Sequence, residues 1–203
     1  MPETTHIPTP GVSAASNRAA RIVTETTAPA VLVGILLLLQ PVLNPEVTWL
    51  QGITAAGFTV GLPFAGILWL KRRGAVTDHH VGKREQRAPI LIASAASIGV
   101  GALLLILMGA PAALFGEIGG VFIGLVLCLA ANLVWKLSVH SAVAAYVGLA
   151  LLAPVPVVGP ALALLLASAT GWSRVKLGDH TPTQVLAGHA AGCLAFTVAL
   201  LLP

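Results

Sequence analysis

Long apolar runs separated by short polar breaks dominate the chain. The first run, Ala28–Leu43, is followed by Asn44-Pro45, and with Gln40-Pro41 this reads as a turn. Val47–Leu70 contains no charge and forms the second run. No charged residue occurs between Ala88 and Gly116, and Gly109-Ala110-Pro111 splits that region into a third run, about Ile90–Met108, and a fourth reaching about Trp135. Ser141–Val158 is the fifth, ended by Pro154, Pro156 and Pro160; Pro160–Gly171 is a short sixth that can continue as helix into the next polar stretch; Pro182–Leu202 is the seventh. Runs of roughly 20 apolar residues are what a helix needs to cross a bilayer. The expected architecture is all-α: a polytopic membrane helix bundle of six to seven transmembrane helices over residues 28–203. Residues 1–27, polar and rich in Ser, Thr and Pro, read as a flexible N-terminal tail.

Composition narrows the class. Of 203 residues, 57% are hydrophobic and 9% charged, and the mean hydropathy is +0.93. A soluble domain carries about a quarter charged residues. Eleven basic and seven acidic side chains cannot coat a water-soluble globule of this length, which excludes a soluble enzyme, a disordered tail and a coiled coil. Trp49, Trp69, Trp135 and Trp172 fall at run ends, as interfacial anchors do. Small residues recur at helical spacing in Gly57 and Gly61, in Gly116, Gly120 and Gly124, and in Gly188 and Gly192, a pattern that lets helix backbones approach in lipid. Cys128 and Cys193 lie in apolar runs without CxxC spacing and read as packing residues.

The charges are one-sided. If the seven runs alternate across a membrane, all eleven Lys and Arg fall on the face of the N-terminal segment and the 71–88, 136–140 and 172–181 loops. The positive-inside rule makes that face cytoplasmic, in what reads as a bacterial plasma membrane. The same three loops carry the reactive side chains. One holds Lys83, Arg84 and Arg87. The next holds Lys136, Ser138 and His140. The last holds Ser173, Arg174, Lys176, Asp179, His180 and Gln184. Each of the two histidines precedes a predicted helix, whose free N–H groups and positive dipole end suit an anion. Arg presents a planar fork to phosphate oxygens and Lys a point charge. One histidine can attack phosphorus while the other protonates the leaving oxygen. With no acidic cluster for a divalent cation, the residues call for phosphoryl transfer on an amphiphile without metal or other cofactor.

Ser173-Arg174, with His180 in register, resembles the third signature, SR-x5-H-x3-D, of the type 2 phosphatidic acid phosphatase superfamily of membrane lipid phosphatases. Val185-Leu186-Ala187-Gly188 and Gly192 are similar to its usual continuation. Leu137-Ser138-Val139-His140 stands where the family has PSGH. Arg87 and Pro89 stand for the end of K-x6-RP, with one residue inserted; the expected lysine position is His80, and Lys83, Arg84 or Lys136 are its alternatives. The resemblance covers about residues 70–200. It implies that family's six-helix core, a phosphohistidine on His180, a general acid at His140, and phosphate oxygens held by Arg87, Arg174, Ser138 and a nearby lysine. The implied partners are a lipid phosphate and membrane lipids, with no nucleic acid.

The chain departs from the family at Gln184, where Asp is usual. Glutamine can accept from Nδ1 and set the tautomer, but brings no charge. This His-Thr-x-x-Gln-Val variant is similar to that of the dolichyl-diphosphatase branch, which points toward polyprenyl phosphates or diphosphates beside phosphatidate. Thr181-Pro182-x-Gln184 also reads as a capping box opening the last helix, and both roles can coexist. The degenerate first motif leaves room for a relative that binds or moves phosphorylated lipids without turning them over. Three further polar features read as structural: His189 as a packed, hydrogen-bonded helix residue, Glu117 as an acid snorkelling to the far interface, and Asp78, His79 and His80 as a hydrated loop.

Overall fold

The computed structural model describes residues 10–73 and 84–201, and among them every regular element is helical. In chain order these are α1 (Pro10–Thr26), α2 (Pro29–Leu43), α3 (Trp49–Ala56), α4 (Leu62–Arg72), α5 (Arg84–Leu107), α6 (Ala112–Val134), α7 (Val139–Leu152), α8 (Val158–Lys176) and α9 (Pro182–Ala199). The Trp49–Leu70 stretch and Ala112–Val134 are each long and apolar enough to cross a membrane; α1 and α2, bent by 43° at their junction, make a third candidate as a pair. The shorter apolar helices include Ile92–Leu107 and Val139–Leu152.

The segment that reads as an N-terminal tail is helical from Pro10 to Thr26. It packs on α8 through small residues, with Ala20 and Thr24 buried while Arg18 and Arg21 stay exposed. Ser173 donates its hydroxyl proton to the Thr170 carbonyl (2.7 Å), so Thr24 Oγ1, 2.9 Å away, is the donor to Ser173. The helix ends because Ala28 precedes Pro29 and takes the extended conformation that position favours.

α7 is the central helix. It touches α8 and α9 most extensively and α2 and α6 as well, and Ala142, Ala144, Ala145, Tyr146 and Val147 are all buried. A helix apolar on all sides belongs in such a place. Close approach by α9 depends on glycine: a Cβ at Gly188 would collide with the Ser138 carbonyl, and one at Gly192 with the Ala142 carbonyl. The Gly188–Gly192 spacing therefore does what the sequence predicts. Gly57 and Gly61 do not form a packing face. They bound a π-helical turn joining α3 to α4, where Ser97 Oγ donates to the Phe58 carbonyl at 2.6 Å. A π turn offsets the helical hydrogen-bond ladder, and Ser97 supplies a partner at the offset.

Glu117 also departs from its expected place. Tyr146 OH lies 3.1 Å from Glu117 Oε2 and 3.2 Å from its carbonyl oxygen, so the acid turns toward α7 instead of snorkelling to an interface. His189 behaves as expected, with Nε2 3.1 Å from the Ala167 carbonyl on α8. Residues 78–80 lie outside the described part of the chain.

Candidate functional site

The segment from Arg174 to Gln184 is two helix termini joined back to back. At the end of α8, the Gly178 N–H bonds the Val175 carbonyl (3.0 Å) and the Asp179 N–H bonds the Arg174 carbonyl (3.1 Å). This is a Schellman terminus, and Gly178 takes the left-handed conformation it requires (φ +75°). The His180 N–H also reaches the Arg174 carbonyl, at 3.3 Å, so the chain folds back and sets residue 180 against residue 174. Thr181 then opens α9. Its hydroxyl accepts from the Gln184 N–H (3.3 Å), Gln184 Oε1 accepts from the Thr181 N–H (3.2 Å), and Pro182 is the first helical residue.

Gln184 performs both roles open to it. The oxygen that completes the capping box lies 3.2 Å from His180 Nδ1. A glutamine carbonyl is only an acceptor, so Nδ1 carries the proton in this contact and the Nε2 lone pair is left for chemistry. Burial is the largest influence on His180 and pushes its pKa below the ordinary imidazole value. Lys136 and Arg174 act the same way, while the Gln184 hydrogen bond and Asp179 oppose them. The ring is thus biased toward its neutral, nucleophilic form.

α7 begins beside this turn. Ser138 donates its backbone N–H to the Gln184 carbonyl (3.3 Å), which ties the start of α7 to the start of α9. The Ser138 hydroxyl caps α7, accepting from the Ser141 N–H (3.4 Å) and the Ser141 hydroxyl (2.9 Å). Ser138 is fully buried and is not among the residues that line the cavity described next. Two residues on, His140 sits in the first turn of α7.

His140, His180, Arg174 and Lys136 line one cavity of about 1090 Å³. Lys136 Nζ donates to the Asp179 carbonyl at 2.7 Å, and Arg174 Nη2 pairs with Asp179 Oδ2 at 3.0 Å, so one residue holds both described cations. The Arg174 side chain is about nine-tenths buried, and its Nε has no hydrogen-bond partner among the described residues. Burial lowers the guanidinium pKa, with Asp179 and Glu25 opposing, yet an arginine remains a cation under these conditions.

Arg174 itself stands on the last turn of α8, not in a loop, and Arg84 and Arg87 begin α5. The side chain of Arg87 lies outside the described part of the chain. Lys83 lies outside the described residues. Among the described residues, no group of three His, Cys, Asp or Glu side chains could hold a metal ion. Asp179, one of the polar residues of the last loop, carries both cations. Two participants are not evident from the sequence: Glu25 lines the cavity from α1, and Asn132 accepts from the Leu137 N–H (3.2 Å) and shapes the turn before α7. The one available signal is polarity in an apolar setting at Asn132. No family model, curated protein or solved structure matches the chain.

Proposed function

We propose that the protein is an integral membrane phosphatase that hydrolyses a lipid phosphate or diphosphate, of the phosphatidate or polyprenyl diphosphate type, through a phosphohistidine. The observation that carries this reading is the shared cavity: two histidines and a buried arginine with a free donor, the second histidine held by Gln184 in the tautomer a nucleophile needs. His180 Nε2 attacks phosphorus, the bond from phosphorus to the lipid oxygen breaks, and His140 gives its proton to that oxygen. Water then attacks the phosphohistidine, His140 takes the proton back, and inorganic phosphate leaves with the P–N bond broken. Arg174, Arg87 and a lysine among Lys136, Lys83 and Arg84 would balance charge on the equatorial oxygens.

The same reading places six to seven helices across the membrane in the core arrangement of the type 2 phosphatidic acid phosphatases, with the cavity mouth on the basic, cytoplasmic side. α7 is short for a span, about 21 Å at 1.5 Å per residue. A helix that short leaves room for a lipid headgroup to meet His140 at its start. The second reading, binding or moving phosphorylated lipid without turnover, draws on the uncharged Gln184 behind His180.

Phosphate release from phosphatidate, phosphatidylglycerophosphate and polyprenyl diphosphate by the purified protein separates the two. The parent should release phosphate and form an acid-labile phosphoenzyme, His180→Ala should do neither, and His140→Ala should accumulate whatever phosphoenzyme it still makes. Equal release by the parent and His180→Ala would remove the enzymatic reading.

A further inference from the structure

The cavity does not stop at the polar residues. Along α6 it is lined by Asn132, Leu129, Leu125, Val121 and Gly120, among others, a stripe on one face of the helix. From Asn132 to Gly120 that stripe descends about 18 Å at 1.5 Å per residue. Its walls below the histidines are almost wholly apolar, from Val33 on α2 through Phe64 on α4 to Ile98 on α5. The lower end is shut. Tyr146 reaches across from α7 to bond Glu117, and its hydroxyl lies so close to Gly120 that a Cβ there would collide with it. Beyond Tyr146, Leu114 and Ile118 are buried in the core.

We propose that this arm is an apolar slot for the hydrocarbon chain of the phosphorylated substrate, open along its side and stopped at the Gly120–Tyr146 contact, which is its floor and hence the limit on the length of chain it holds. The proposal rests on the phosphatase reading for the headgroup, but the slot is a separate feature. An amphiphile whose phosphate meets Arg174 and His180 has its chain directed into the slot, because the apolar walls are continuous with the polar end. The bilayer offers the chain no better solvent than the slot does, so the slot acts by excluding chains that are too long rather than by adding affinity. Val121 and Leu125 occupy successive turns of the wall, and a bulkier side chain at either would raise the floor by a different amount.

Hexyl, decyl and tetradecyl phosphonates, which cannot be hydrolysed at the P–C bond, read the slot through thermal stabilisation of the full-length protein in detergent. The parent should bind all three. Leu125→Trp should keep hexyl phosphonate and weaken the two longer ligands by roughly tenfold, the effect of a steric clash worth about 1.4 kcal/mol. Val121→Trp should keep decyl phosphonate and lose tetradecyl phosphonate. Retained hexyl binding also reports that each variant has folded. A terminal diazirine on tetradecyl phosphonate should label the parent between residues 118 and 121 or at Tyr146, and this needs no variant. Farnesyl phosphonate in the same series distinguishes prenyl from straight chains by which binds more tightly. Unchanged tetradecyl binding in both Trp variants, or labelling at outward-facing positions such as Leu103 and Ile106, would overturn the slot. If the phosphonates follow the ruler but the parent releases no phosphate from the matching alkyl phosphates, hydrolysis falls and the slot stands. Phosphate release independent of chain length in every variant does the reverse.

Discussion

Replacing Gln184 with glutamate tests how this chain tunes its histidine. Glutamate keeps the capping box, because a carboxylate at the third helical position accepts from the Thr181 N–H as the amide oxygen does. It also retains an acceptor 3.2 Å from His180 Nδ1. What it adds is one negative charge. Two opposite charges at 4 Å attract by about 4 kcal/mol at an effective dielectric of about 20, and such a neighbour raises a histidine pKa by about one to three pH units. His180 is only half-buried, so screening favours the lower part of that range, about one to two pH units. In the parent, burial, Lys136 and Arg174 hold the pKa below the ordinary 6.5. The neutral imidazole therefore survives into mildly acidic solution, and with His180 as the proposed nucleophile the acid limb of kcat/KM is expected below that value. In Gln184→Glu the limb should move to higher pH by the amount of the pKa rise, while thermal stability changes by less than about 0.5 kcal/mol. Histidine nitrogen chemical shifts, titrated in parallel, report the same pKa without relying on activity. An acid limb and titration that stay fixed, or move to lower pH, would refute the assignment of Gln184 as the partner that tunes His180.

Asp179→Asn should act in the opposite sense. Removing the carboxylate frees Arg174 while Lys136 keeps its bond to the residue 179 backbone carbonyl, so inhibition by inorganic phosphate should tighten by about two- to fivefold, the worth of a partly exposed ion pair; the acid limb should shift slightly downward, because Asp179 is one of the two influences that raise the His180 pKa. Gly188→Val puts atoms into the Ser138 carbonyl, a backbone contact that no rotamer can relieve, and should cost about 1–3 kcal/mol in thermal unfolding together with a disproportionate loss of activity, since it separates the helices bearing His140 and His180. Thr24→Val removes the hydroxyl that donates to Ser173 and should cost about 1 kcal/mol, with a coupling to Ser173→Ala in a double-mutant cycle that distinguishes the lost hydrogen bond from lost packing.

What hydropathy could reveal was the set of apolar runs and their proline and glycine punctuation, and each run corresponds to a helix or a linked pair of helices. What it could not reveal were contacts made by small or polar residues. α1 buries Ala20 and Thr24 on α8, and neither signals burial in a linear pattern, so a packed helix reads as a tail. The run ending near Gly171 extends to Lys176 because Ser173 and Arg174, though polar, are buried on α8. Glu117 looked destined for an interface because nothing in its own run shows that Tyr146 lies opposite. Ser138 was assigned to phosphate by resemblance to a motif; the alternative use of a serine before a helix, as its cap, is what the chain adopts. Arg174, His180 and Gln184 were readable because their spacing is set locally, by one turn between two helix ends.

That local origin limits what the spacing alone can prove. Five residues between Arg174 and His180 are what a Schellman terminus followed by a helix cap consumes. Val175 and Arg174 supply the carbonyl acceptors, Gly178 the left-handed turn, and Thr181 with Gln184 the next helix's box. A chain could keep this punctuation for folding alone. Folding alone, however, does not require an arginine with an unpartnered Nε buried at the end of α8, where the backbone carbonyl of any residue would accept the same bonds. Nor does it require a histidine in the first turn of α7 lining the same cavity. An uncompensated buried donor costs about 1–3 kcal/mol, more for a charged group, and so calls for a partner such as water or an anion. Arg174 and His140, lining one cavity with His180, are what turn punctuation alone does not explain, whereas the spacing to His180 follows chiefly from how the turn is built.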